Sequence, residues 1–288
     1  MKNTHNNMLE DIIMQRFYAA IFLTICATVA ACSGSDPATL GPVVREPAPA
    51  SPVPNFGEIK DVRAKKNAFF GYMSELLRQA NGEVWQERQL VLQLQERAAG
   101  QPLTEHDAEL LGQLAAYYRV DVAEPLTDEF FHQLLKRVDV VPLSLSLAQS
   151  ANESGWGTSK FAREGRNFFG IWCYTPGCGI KPSRAAAGSI HEVQKFATTL
   201  EGVRFYIQMI NTRGSYSQIR ELRAAAREAQ EKPTGNELAG GLLKYSERGE
   251  AYVNEIRSMI RQNSLADYAV DWRAWNGSQE DYPLTAQR

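Results

Sequence analysis

One carboxylate set among glycines and a tryptophan, in Ala151-Asn152-Glu153-Ser154-Gly155-Trp156-Gly157, is the part of this chain best suited to moving a proton. The glycines close an apolar helical segment, so Glu153 falls in its last turn, at the negative end of the helix dipole. That position disfavours an ionised carboxylate by about 0.3–1 kcal/mol. Burial near Trp156 and Phe169 is expected to act in the same direction. A carboxylic acid that keeps its proton near neutral pH can protonate the leaving oxygen of a glycosidic bond. Taken alone, Glu-Ser-Gly fits a helix-terminal surface glutamate equally well.

The elements that must hold this group read as mostly helical. Residues 60–80 carry Val62, Phe69, Phe70, Met73, Leu76 and Leu77 at helical spacing. Asn81-Gly82 is expected to break that helix, with a second one over residues 84–99. Thr104 and Thr127 read as N-caps of the next two helices. Leu143, Leu145 and Leu147 alternate with serines as in a strand, but Pro142 at the first turn and Ala148 and Ala151 beyond favour a helix ending at Gly155. Thr158 or Ser159 caps a short helix after it. Residues 167–196 lose the helical period and read as a loop or hairpin lobe. Helices resume from Thr198, near residues 218–232, at 235–243, and last at 250–262. The expected fold is mainly α, of the α+β class. A helical domain over 125–265 carries a small irregular β lobe, and a structural helical annex over 58–124 precedes it.

The ends of the chain bear on compartment. Residues 17–31 are apolar apart from Thr24 and Thr28 and follow Arg16, the pattern of a signal peptide rather than a membrane span. Translation from Met14 would give this signal a compact start. Val29-Ala30-Ala31-Cys32 resembles the lipobox of bacterial lipoproteins, which implies lipidation at Cys32. Ser33 after it fits sorting to the periplasmic face of the outer membrane. Residues 32–57, rich in Pro and Ala, read as a tether, and 266–288 as a poorly ordered tail. Cys26 leaves with the signal, so an oxidising compartment points to a disulfide between Cys173 and Cys178, with free or metal-bound thiols as the alternative. The net charge of −2 with mixed signs suggests no nucleic-acid groove. Four dispersed histidines suggest neither metal nor cofactor.

The glutamate block has companions. Arg166-Asn167-Phe168-Phe169-Gly170-Ile171 follows it, and Lys244-Tyr245-Ser246 leads to Tyr252 in a Lys-Tyr-Ser-x-x-Gly-x-x-Tyr stretch. Together these resemble the catalytic segment of the bacterial β-N-acetylglucosaminidases of glycoside hydrolase family 73, in its Bax-type branch. The likeness covers about residues 125–265. It implies a lysozyme-like helical domain with a β lobe over a cleft, and cleavage of peptidoglycan glycan strands after N-acetylglucosamine. Carried over by position, Glu153 is the general acid, and Asn167, Phe169 and Gly170 belong to the cleft wall. Tyr245 positions water or the acetamido group. Trp156 and Tyr252 join the substrate-binding set, with Trp172 beside them as a sugar-stacking candidate. A second carboxylate would come from Glu192, or from Glu201 or Glu164, although the Thr-x-Glu-Tyr pattern of the family is absent there. A lytic transglycosylase is the nearest enzymatic alternative, without its Gly-Leu-Met-Gln block. A catalytically silent wall-binding lipoprotein is the non-enzymatic one.

Overall fold

The computed structural model describes residue 45 and residues 52–183 and 191–268. The signal segment, Cys32, most of the tether and the tail from residue 269, with Trp272, Trp275 and Tyr282, lie outside the described residues. Among those described, the fold is mainly helical with one small antiparallel sheet. No described helix is long and apolar enough to cross a membrane.

The first helix, α1 (Val62–Gly100), starts at the Asp61 N-cap and runs unbroken for 39 residues. The break expected at Asn81-Gly82 is therefore corrected. Asn81 is buried, its amide donates to the Val141 carbonyl at 2.9 Å, and its oxygen accepts from the Val141 amide at 2.9 Å. A residue that weakens an isolated helix is thus held in place by a two-bond clamp to a distant segment. The N-terminal half of α1 enters the main core through Phe69, Phe70, Met73 and Leu77.

Local caps set the next boundaries as the sequence suggests. Thr104 accepts from the Asp107 amide to open α2 (Glu105–Tyr117). Thr127 accepts from the Phe130 amide to open α3 (Asp128–Arg137). Then comes α4 (Leu143–Ser154), with Pro142 at its cap. Nearly every α4 side chain is buried, as expected of a helix at the centre of a domain. Its serines bond back to its own backbone: the Ser150 hydroxyl donates to Leu147 at 3.0 Å and that of Ser154 to Ser150 at 2.6 Å. Those bonds let an alternating Leu-Ser pattern serve as a buried helix.

The short α5 (Lys160–Gly165) is capped by Ser159. Strands β1 (Trp172–Cys173), β2 (Gly179–Ile180) and β3 (Glu192–Gln194) form the lobe, in the order β1-β3-β2. A disulfide joins Cys173 to Cys178 across the β1–β2 connection. Thr198 caps α6 (Thr199–Thr212), whose Val203, Tyr206, Ile207 and Ile210 pack in the core. The chain closes with α7 (Ser217–Glu228), α8 (Gly235–Leu238), α9 (Glu250–Gln262) and a 3-10 turn at Leu265–Tyr268.

Two features of the scaffold had no local sequence signal. Phe56, expected in the tether, is fully buried and packs edge-on against Phe69 at 5.4 Å and Tyr72 at 5.9 Å. The tether reading therefore stops short of residues 52–57. Asp139 is buried among three arginines, Arg88 at 3.7 Å, Arg223 at 3.4 Å and Arg227 at 2.5 Å. Burial alone would raise its pKa, but the three guanidinium groups together hold it down at about 2. This cluster ties α1 and α7 to the segment that joins α3 to α4.

Candidate active site

The end of α4 explains the spacing of the glutamate block. Gly155, Trp156 and Gly157 all take left-handed backbone, with φ of 56°, 59° and 73°. The Ser154 hydroxyl pins the turn by accepting from the Gly157 amide at 2.8 Å. Gly157 has a second reason to be glycine: a Cβ there would come within 2.4 Å of the Phe56 ring. Trp156 is the member of the turn with a side chain, and a left-handed residue of this size carries strain. Its ring is anchored against Phe69 at 5.7 Å and Phe70 at 5.2 Å, with the Lys66 ammonium 4.9 Å above it. Those contacts pack Trp156 against the core while leaving its ring partly exposed.

Glu153 stands one residue before the helix ends, as expected. Its pKa is raised, first by burial and then by the nearby Glu255 carboxylate. Hydrogen bonds from Tyr252 and Asn152, and the Arg248 charge, act against the rise without cancelling it. Gly170 faces the carboxylate from the following loop. A Cβ at Gly170 would lie 3.0 Å from Glu153 Oε2, and its φ of +63° also favours glycine, so a bare backbone is required beside the acid.

Asn167 builds that loop. Its Nδ2 donates to the Ile171 and Gln194 carbonyls, each at 2.9 Å. Its Oδ1 accepts from the Phe169 amide at 3.3 Å and the Ile171 amide at 3.1 Å. Both donors and both lone pairs are thereby engaged. Asn167 shapes the wall beneath the acid and holds no free group for a substrate, which corrects its place among the binding residues. Phe169 is likewise internal, stacked on Tyr206 with ring centroids 3.9 Å apart. Its backbone carbonyl accepts from the Tyr245 hydroxyl at 2.7 Å. Tyr245 in turn stacks on Tyr252 at 5.5 Å, so the three matching segments meet in one cluster. Tyr252 is buried, and burial together with the Glu153 charge keeps its hydroxyl protonated.

The alternative acids lie elsewhere. Glu192 is buried on β3, where its carboxylate accepts from the Gly179 amide at 2.8 Å beside the Cys173–Cys178 sulfurs. Because those sulfurs are joined to each other, the cluster offers no thiolate to a metal. Glu201 caps α6 by accepting from the Ala197 amide, and Glu164 pairs with Lys160 on the surface. The charges that act on Glu153 come instead from Glu255 and Arg248, neither of which belongs to a recognisable motif. Gln149 and Tyr206 also lie outside any motif, although Gln149 sits one turn before Glu153 on the same helix face.

Comparison with known proteins agrees with this arrangement. Residues 128–265 match the family model for glucosaminidase, mannosyl-glycoprotein endo-beta-N-acetylglucosaminidase. The likeness falls on just under half of the chain. The chain is also similar to Protein bax of Escherichia coli (strain K12), at 29% identity over 219 residues, covering 76% of this chain and 77% of that protein. No solved structure matches it. The matched residues hold α4 with Glu153, the β lobe and α9 with Tyr252. The surroundings of Glu153 fit a proton donor.

Tyr252→Phe tests the electrostatics of this site. The Tyr252 hydrogen bond favours the ionised form of Glu153, so its loss raises the Glu153 pKa further. The proton then stays on to higher pH. The alkaline limb of the pH–rate profile is expected to move upward, and an unmoved or lowered limb contradicts the assignment.

Proposed function

We propose that this chain hydrolyses the glycan strands of peptidoglycan, cutting the β-1,4 bond after N-acetylglucosamine, with Glu153 as the proton donor. The observation that carries the reading is the raised pKa of a partly buried helix-end glutamate inside a glucosaminidase domain. Gly170 leaves room at the carboxylate, and Tyr245 and Tyr252 line the same cluster. On the β lobe, Trp172 is 41% exposed with His191 edge-on at 4.4 Å, an aromatic surface suited to stacking on a sugar face. The scheme uses the substrate, water and the chain's own residues, with no cofactor.

Digestion of purified peptidoglycan followed by mass analysis of the fragments tests this reading. Reducing N-acetylglucosamine ends support it. Anhydromuramic ends would instead identify a lytic transglycosylase. Binding without any cleavage would identify a wall-binding protein.

Glu192 has a smaller part in this scheme. A general base contributes about 10²–10⁴-fold, whereas Glu192→Gln is expected to lower turnover by less than about tenfold. Its carboxylate is already engaged by the Gly179 amide, and glutamine keeps an acceptor there. A loss of about 10²-fold or more would make Glu192 the second carboxylate.

The proposed setting is the periplasmic face of the outer membrane, with lipid on Cys32 as the anchor. One acyl chain holds a protein only marginally, and the lipoprotein modification carries more than one. Cys32→Ala is expected to move the protein from the membrane fraction to the soluble fraction. Retention at the membrane would remove the anchor.

A further inference from the structure

Ser146, Gln149 and Glu153 stand three and four residues apart on one face of α4. Ser146 and Gln149 are fully buried, so their polar groups need partners inside the protein. The Tyr206 hydroxyl donates to Gln149 Oε1 at 2.7 Å. Gln149 Nε2 donates to the Tyr252 hydroxyl oxygen at 3.1 Å. The Tyr252 hydroxyl is hydrogen-bonded to Glu153, and Ser146, whose hydroxyl donates to the Pro142 carbonyl at 3.4 Å, lies beside Tyr206 at the far end. The row runs Ser146, Tyr206, Gln149, Tyr252, Glu153, and alternates between α4 and the helices packed on it.

Its direction follows from counting protons. A phenol has one proton to donate. The Tyr252 oxygen accepts from Gln149, so its own proton remains for Glu153. This holds only while Gln149 turns its amide nitrogen toward Tyr252, which the proton from Tyr206 on the amide oxygen enforces. With that amide reversed, Tyr252 would donate to Gln149 and Glu153 would lose its partner.

We propose that Gln149 and Tyr206 are positioning residues for Glu153, fixing one orientation of the Gln149 amide and so aiming the Tyr252 hydroxyl proton at the Glu153 carboxylate. The proposal rests on reading Glu153 as the acid. Neither residue touches the substrate, and both act through Tyr252. Tyr252 holds one carboxylate oxygen in this arrangement, which leaves the other to carry the proton that is given away. The other groups facing Glu153 are Asn152 on its own helix, Glu255 on α9, Arg248 before it, and Tyr216 and Tyr245 beyond. The variants below leave all of these unchanged.

The test is the titration of the Glu153 carboxyl by NMR in the full chain labelled with 13C at glutamate carboxyls. Its signal is identified by its loss in Glu153→Gln. Tyr206→Phe keeps the ring stacked on Phe169 and removes only the donor. It is expected to shift the Glu153 titration upward, by less than Tyr252→Phe does. Gln149→Met removes the amide oxygen that could compete for the Tyr252 proton, so it should leave the titration near that of the wild type and should cancel the shift when combined with Tyr206→Phe. The double variant Tyr206→Phe/Tyr252→Phe should shift it no further than Tyr252→Phe alone, because Tyr206 acts only through Tyr252. An unmoved titration in Tyr206→Phe with only a lowered melting temperature, or a Tyr206→Phe shift that persists in Tyr206→Phe/Gln149→Met, would make the row structural and overturn the proposal. Additive shifts in Tyr206→Phe/Tyr252→Phe would also overturn it. The titration needs no turnover. Expected shifts in a protein that cleaves no peptidoglycan would defeat the proposed activity and still support the relay.

Discussion

Glu153→Gln is expected to abolish glycan cleavage while leaving the protein folded. Glutamine has the shape of glutamic acid and can still accept from Tyr252, but it has no proton to give to a leaving oxygen. General acid catalysis contributes about 10²–10⁴-fold, so clearing of purified cell wall in a zymogram should vanish on any practical timescale. Stability should move the other way. Burial raises the folded-state pKa of Glu153, so folding disfavours its charged form. The penalty is absent at low pH, where the group is protonated folded or unfolded, and is complete once pH exceeds the folded pKa. The variant should therefore melt above the wild type at neutral pH, and the difference should close as the solution is acidified. Enzymes commonly give up stability at a working acid in this way. Equal clearing by wild type and variant would defeat the assignment of Glu153. Equal melting at neutral pH would contradict its electrostatic basis.

Asp139→Asn should give the largest loss of stability. Removing one partner of a buried ion pair typically costs about 3–5 kcal/mol, because the remaining charge stays buried without compensation. Here three guanidinium groups would be left around a neutral amide. A domain has only about 5–15 kcal/mol in total, so the midpoint of urea unfolding at neutral pH should fall sharply. The same cluster makes the wild type sensitive to acid. A folded pKa of about 2 against an ordinary value of 3.8 corresponds to about 2 kcal/mol. The folded value is the depressed one, so this stability is present above about 3.8 and is lost as pH falls toward 2. Asp139→Asn should lack that acid-labile part. A change below about 1 kcal/mol at neutral pH would show that the arginines relax into solvent.

The helix boundaries legible in the sequence were those held by contacts three residues apart. Thr104, Thr127, Ser159 and Thr198 each accept from a backbone amide within their own first turn. The end of α4 at Gly155 was legible for the same reason, since a left-handed cap is satisfied within the turn. Asn81-Gly82 misled because its clamp to Val141 spans 60 residues. Phe56 misled because the Pro-rich composition around it says nothing of the aromatic pocket that receives it.

Within the site, the sequence by itself determined the helix-end position of Glu153, the turn behind it and the segments that accompany it. A Glu-Ser-Gly-Trp-Gly string can form little other than a helix end followed by left-handed residues, and a carboxylate there already sits at an unfavourable pole. Only the tertiary structure decided what surrounds that carboxylate. It engaged every polar group of Asn167 inside the loop, committed Glu192 to the β lobe, and brought Gln149, Tyr206 and Tyr252 into line with Glu153. The physical reason is the range of the forces involved. Caps and turns close within a few residues, where spacing is readable. A pKa and the direction of a buried hydrogen bond depend on which distant groups packing brings within about 3 Å, and spacing along the chain does not contain that.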